Sequence, residues 1–328
     1  MKQQRRKHLL GWAALGLGAL AANAVCAQGA WPNRPVRMLV PFPAGGTADV
    51  LCRLLAQRLQ DAIGQPVVVE NKPGAAGNIG SEAAAKSPAD GYNLFYATIG
   101  THGGINLALY PKLPYDPVKD FVPIALAHTL PNVLIVNNDV PVKTVGELIA
   151  WLKANPDRAN YASSGNGGIS HLGAELFKSM TGVAMTHVPY KGGAAALTDL
   201  IGGRVQLMFE TAPNALSNYR AGRVRALAVS STRRSASAPE LPTIGETVAG
   251  YEVNTWTALY APAGTPREVV ARLAAEMAKL SRNKEYVERL VQIGSDAPES
   301  SPEHLASFMQ SEIARWGKIV RDTGAKID

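Results

Sequence analysis

Short β-branched runs alternate along this chain with longer stretches of helical period. Residues 36–40, where Val36, Met38, Leu39 and Val40 stand almost together, predict a strand, and the Pro- and Gly-bearing stretch 41–46 predicts the loop that leaves it. Over 48–63, Val50, Leu51, Leu54, Leu55 and Leu59 fall on one face at 3.6 spacing, which predicts an amphipathic helix. The same reading gives strands over 67–69 and 93–98, a helix over 76–85, and two further strands over 121–127 and 133–136. A second set opens at Thr144, an N-cap with Glu147 three residues on, ahead of a helix over 145–154. Strands over 160–163, 185–188, 205–209 and 224–229 then alternate with helices over 169–180 and 194–201. A strand-like run over 251–260 precedes a helical ending, 267–280, 284–292 and 302–323.

This alternation marks a mainly parallel α/β protein. No fixed-period repeat is visible, and no low-complexity linker separates the two sets. Extended joining segments near 125–133 and 248–257 instead predict one unit inserted into the other. Residues 31–128 and 253–328 then form lobe one and 129–252 lobe two, with the closing helices packed back on lobe one. A cleft between two such lobes is a common place for a ligand.

Composition narrows the class. The chain has 328 residues, 46% apolar and 18% charged, an ordinary globular balance that excludes a disordered tail, a coiled coil and a disulfide scaffold. The formal net charge is +7, but Lys2, Arg5, Arg6 and Lys7 supply four of those charges. The remaining +3 is spread without basic blocks, so no nucleic-acid partner is expected. Those basic residues form the first part of an export signal. Leu9 to Ala22 follows as an uncharged run, shorter than the roughly 20 residues that a membrane span needs. Small residues then offer a cut after Ala27, with Ala24 as the alternative. Residues 1–27 are read as a signal peptide and the product as an exported, soluble protein starting near Gln28, with the Sec or twin-arginine route left open. Asn23-Ala24-Val25 is a poor context for lipid attachment at Cys26, which leaves one mature thiol, Cys52, inside an amphipathic helix.

Candidate chemistry lies in loops that leave strands and open helices. Pro43-Ala44-Gly45-Gly46-Thr47-Ala48-Asp49 is one. Its glycines allow φ > 0 and close backbone approach, and a helix N-terminus behind them favours an anion, although a tight turn would use the same residues. Thr47 could cap the helix or donate to a ligand. Ser163-Ser164-Gly165-Asn166-Gly167-Gly168 repeats the arrangement in the second set. Gly165-x-Gly167-x-x-Ser170 falls short of a dinucleotide fingerprint and lacks the acidic residue about 20 positions on; the glycines of 74–80 lack the context as well. No cofactor is expected. His102, His128, His171 and His187 are scattered with no metal spacing, and no Gly-x-Ser-x-Gly elbow surrounds Ser163 or Ser164, so neither a metal nor a catalytic residue is expected. His171, on the first turn after the second loop, could orient that loop or meet a ligand. Lys191 could be a ligand cation or a solvated lysine.

Taken together and in order, these segments resemble the Bug family, the periplasmic solute receptors of tripartite tricarboxylate transporters. The resemblance runs from about Trp31 to the C-terminus. It rests on Pro41-Phe42-Pro43-Ala44-Gly45-Gly46 with Asp49 and Arg53, and on Val69-Glu70-Asn71-Lys72-Pro73-Gly74 with Gly77-Asn78-Ile79-Gly80. Leu113-Pro114-Tyr115-Asp116-Pro117, Ser163-Ser164-Gly165-Asn166-Gly167 with His171-Leu172, Pro189-Tyr190-Lys191-Gly192-Gly193 and Ala261-Pro262-Ala263-Gly264-Thr265-Pro266 complete it. The resemblance implies a type II periplasmic-binding-protein fold, α/β in both lobes, that closes on a small carboxylated solute for delivery to membrane transporter subunits. Mono-, di- and tricarboxylates, amino acids and aromatic acids all stay open as ligands, and the protein is expected to be a monomer. A sensor subunit for a membrane kinase is the alternative, and an exported hydrolase or transferase the remoter one. Carried over, the ligand-binding positions are Phe42, Ala44, Gly45, Gly46, Thr47 and Asp49 in lobe one and Ser163, Ser164, Gly165, Gly167 and His171 in lobe two. Thr101 and His102 would border the distal end. This chain departs from the family's usual Asp at Glu210 and from its small residue at Cys52.

Overall fold

A computed structural model describes residues 31–324; the signal peptide expected over residues 1–27 lies outside the described residues. Its first strand, β1 (Val36–Val40), pairs in parallel with β2 (Val67–Asn71) and β3 (Asn93–Thr98). Flanked on both sides and covered by helices, β1 reads as a nearly continuous apolar run rather than an alternating one. Helix α1 (Thr47–Ile63) buries Leu51, Cys52, Leu55, Ala56, Leu59 and Ile63 and stops at Gly64, whose left-handed φ of 74° lets its N–H close on the Gln60 carbonyl. Val50, expected on the same face, is 49% exposed. The helix predicted over 76–85 begins later, as α2 (Asn78–Ala85), because a tight turn over Ala75–Gly77 puts Ala76 at φ 52°. Then come the one-turn α3 (Ile99–His102) and α4 (Ile105–Leu109).

The two strands expected over 121–127 and 133–136 are one, β4 (Phe121–Val136), which runs through both lobes. Its first part pairs with β9 (Asn254–Pro262); Asn132–Val136 pair with β7 (Leu207–Thr211), and Val133–Val136 also with β8 (Arg225–Val229). Register shifts beside Pro123 and before His128 let this strand bend while the pairing continues. The intervening helices are α5 (Val145–Ala154), α6 (Ile169–Thr181), α7 (Gly193–Ile201) and α8 (Ala212–Arg220); β5 (Asn160–Ser163) and β6 (Thr186–Pro189) complete lobe two. The sheet order is β2-β1-β3-β9-β4-β7-β5-β6, with β8 on β4. The outer strands are parallel as expected, but β4 and β9 run antiparallel to their neighbours, so the sheet is mixed.

Three cores flank this sheet. One packs α1, α9 (Arg267–Leu280) and α10 (Lys284–Gln292) on lobe one; another packs α7 and α8 on lobe two. The third runs across both lobes under α11 (Pro302–Thr323). Of the closing helices, α9 and α10 share the core of α1. Helix α11 packs on α4 and β4 but also on α6. It is tied to the crossing by Glu312, which accepts from the indole N–H groups of Trp256 (2.9 Å) and Trp316 (3.0 Å). No helix among the described residues is long and apolar enough to cross a membrane.

Candidate functional site: an interlobe cavity built on helix N-termini

Between the lobes lies a cavity of about 700 Å³. The loop after β1 and the turn after β3 form one wall, the loops opening α6 and α7 the other, and Leu130, Thr255 and Thr257 of the crossing strands the floor.

The first wall is a helix N-terminus left open. Gly46 is the N-cap of α1, and no side chain caps its N–H groups. Thr47 is therefore the first helical residue and lines the cavity, as do Phe42, Gly45 and Gly46; Ala44 is exposed beside them and outside the lining. Only Gly45 needs a positive φ, 81°; Gly46 is extended at φ −77°, and an added Cβ there would meet only the Pro43 carbonyl at 3.5 Å. Asp49 is buried beneath the loop as its brace. Its Oδ2 accepts the Gly45 N–H (2.9 Å) and Arg53 Nε (3.0 Å), and its Oδ1 accepts Asn71 Nδ2 (2.8 Å). Asn71 also donates to the Phe42 carbonyl at 3.1 Å. Burial alone would raise the Asp49 carboxyl, but the bonds from Arg53, Gly45 and Asn71 outweigh it and hold the group below the usual carboxylate range.

The second wall repeats the design with different chemistry. Gly168 is the uncapped N-cap of α6, and Ser164, Gly165, Gly167 and Gly168 line the cavity. Ser163 is fully buried, its hydroxyl 2.6 Å from His187 Nε2 and 3.1 Å from the Gly165 carbonyl. His171 stands behind the lining and accepts the Gly167 N–H on Nδ1 at 3.0 Å. That bond requires a free lone pair on Nδ1, so Nε2 carries the proton. The ring lies flat on His187, centroids 4.0 Å apart and planes within 3°, and Tyr161 continues the stack. Burial lowers the His171 pKa and keeps it neutral. A third uncapped N-terminus, at Gly192 before α7, joins this wall, while Lys191 next to it is exposed.

The remaining sequence-predicted pair is turned away. The cavity wall after β3 is Thr98, Ile99 and Gly100. Thr101 is buried as part of the capping box of α3, and His102 lies among Phe95, Tyr115, Phe121 and Tyr260, where burial pushes its pKa down to about 3. Cys52 is a core residue, its thiol pushed up by burial.

Sequence reasoning missed the floor. Thr255 and Thr257 are two apart on β9, the spacing that puts two side chains on one face of a strand. Asn214 was missed with its helix, although Pro213 right after Thr211-Ala212 is a helix-start signal. Lys, Arg and His are all missing from the cavity lining among the described residues. No group of three or more His, Cys, Asp or Glu there could hold a metal.

Residues 51–325 match the model of the tripartite tricarboxylate transporter family receptor. The chain belongs to this receptor family. It is 39% identical to the protein BugT of Bordetella pertussis over 90% of this chain and 91% of that one. Among solved structures, Rpa4515 of R. palustris with adipate aligns with a TM-score of 0.84 at 40% identity, covering 91% of this chain and all of the other. MatC from Rhodopseudomonas palustris with bound malate aligns at 0.77 and 34%, over 88% of this chain and all of the other. The receptor thus has the two-lobed periplasmic-binding-protein fold and serves as an extracytoplasmic solute-binding protein for tripartite tricarboxylate transport.

Proposed function

We propose that the receptor holds one carboxylate of a small solute between the N-termini of α1 and α6, and works by binding alone, without chemistry on the solute. The observation that carries this is the pair of uncapped helix starts on opposite walls of a cavity with no basic side chain in its lining. Backbone N–H groups and helix dipoles then supply the positive potential. One anion meets both walls only when the cleft shuts, so the solute favours the closed form, which is the condition for a ligand-driven population shift. Residues 129–252 move as lobe two about the crossings of β4 and β9. The export signal is removed near Gln28, and the liganded form is delivered to the membrane subunits of the transporter.

Relatives at 40% and 34% identity are solved with adipate and malate, so dicarboxylates head the list of solutes. Thermal-shift screening against mono-, di- and tricarboxylates tests this. A ligand present at 100 times its Kd adds about 2.7 kcal/mol of stability. A panel without a single shift, or turnover of any solute, would sink the reading.

A further inference from the structure

Glu210 is the one acidic residue in the cavity lining among the described residues. It is the last residue but one of β7, is 5% exposed and has its two oxygens in different surroundings. Oε1 accepts the Thr211 hydroxyl (2.8 Å), the Thr211 N–H (3.0 Å) and Asn214 Nδ2 (3.3 Å). Oε2 faces the start of α7, where a Cβ on Gly193 would come within 2.8 Å of it. The missing side chain at Gly193 leaves that oxygen against the lining.

A solute carboxylate seated in this cavity would share it with the Glu210 carboxyl, and the lining holds no side-chain cation to stand between them. Two carboxylates sharing such a site do not both stay ionised; one retains a proton. We propose that Glu210 is a specificity-determining residue that works as a neutral acid: with solute bound, Oε2 carries a proton taken from bulk water and donates it in a hydrogen bond to the anion. Capture then takes up one proton, an inference that rests on the carboxylate reading above. Burial already pushes the Glu210 carboxyl above the usual range, despite its three donors.

The ionisable groups of the elements packed around β7 are engaged elsewhere. On α6 and β5, His171 holds Gly167, while Glu175 takes Lys178 and the Tyr161 hydroxyl. On α7, Asp199 pairs with Arg204 and the Tyr190 hydroxyl; on α8, Arg220 donates to the Ser237 carbonyl. On β4, His128 lies between the hydroxyls of Tyr96 and Tyr286.

The test is calorimetric titration of the full mature protein with adipate and the carboxylate panel from pH 5.5 to 8, in buffers of different ionisation enthalpy. The expected result is uptake approaching one proton per ligand near neutral pH, with Kd rising up to tenfold per pH unit above the titration of free Glu210. Glu210→Gln should lose that uptake and flatten the pH profile. Wild-type binding without proton uptake overturns this inference and leaves the carboxylate reading standing. Uptake that survives in a folded Glu210→Gln variant belongs to another group and overturns it as well. A panel that gives no binding heat overturns both readings together.

Discussion

The two glycine loops present the same surface and stand on opposite foundations. In lobe one the Gly45 N–H rests on an ionised carboxylate, and the charge of Asp49 is met by Arg53 and Asn71. In lobe two the Gly167 N–H rests on a neutral imidazole in a stack of His171, His187 and Tyr161. What they share is a glycine-shaped turn ahead of an uncapped helix. The proposed anion site is therefore built from backbone, and the brace beneath each loop answers only to the need for an acceptor. The difference appears under stress: acid strikes the histidine brace first.

The largest expected effect is at Asp49. Asp49→Ala removes the acceptor of the Gly45 N–H and of Asn71 Nδ2 and takes the ion-pair partner from Arg53, so stability should fall by about 2–3 kcal/mol and solute affinity with it, read by denaturant unfolding and calorimetry. A variant that binds as the wild type does would break the claim that the loop needs a brace. Next is His171→Leu, expected to cost about 1–2 kcal/mol by stranding the Gly167 N–H.

The pH dependence sharpens the contrast. His171 has a folded pKa below its ordinary 6.5, so the unfolded chain binds more protons, and its contribution is full above pH 6.5 and declines as pH falls below it. The buried His102 and His128, both pushed down to about 3, add to the same decline, each by up to about 1.4 kcal/mol per pH unit between those limits. Asp49, also lowered, contributes fully above its ordinary 3.8 and gives way only below that. Unfolding curves from pH 7 to 3 should show His171→Leu losing less stability than the wild type on the way to pH 4. Parallel curves would count against a neutral brace.

A smaller effect separates the two adjacent glycines. Gly45→Ala, at φ 81°, should cost about 1 kcal/mol, whereas Gly46→Ala, already extended, should leave the unfolding midpoint where it was. The smallest concerns the floor: the Thr255 hydroxyl is buried without a protein partner, so Thr255→Val should raise ligand-free stability by up to about 1 kcal/mol.

Much of this was legible in the sequence. Strand, glycine turn and helix followed each other clearly enough to place both loops, and the order of motifs from Phe42 to Pro266 carried the family. Gly46 was harder. Its role comes from the N–H groups behind it, and composition does not tell a glycine with φ > 0 from one without. Thr101 and His102 look like a polar loop after a strand, but a capping box winds them into one helical turn and directs His102 into an aromatic cluster. The merging of 121–127 and 133–136 into one strand was hidden because Pro131 interrupts the pattern; there the pairing to Asn254 continues across the proline. Glu210 stood out in sequence only as a departure from the family; its surroundings come from Gly193, seventeen residues earlier.

The central claim is that one anion is held by both helix starts at once. A crystal structure with adipate tests it most directly. The account predicts one carboxylate within hydrogen-bond distance of backbone N–H groups at the start of α1, near Gly46 and Thr47, and at the start of α6, near Gly168 and Ile169, across a closed cleft. A carboxylate resting on one lobe alone, with the other loop facing water in an open cleft, would contradict it.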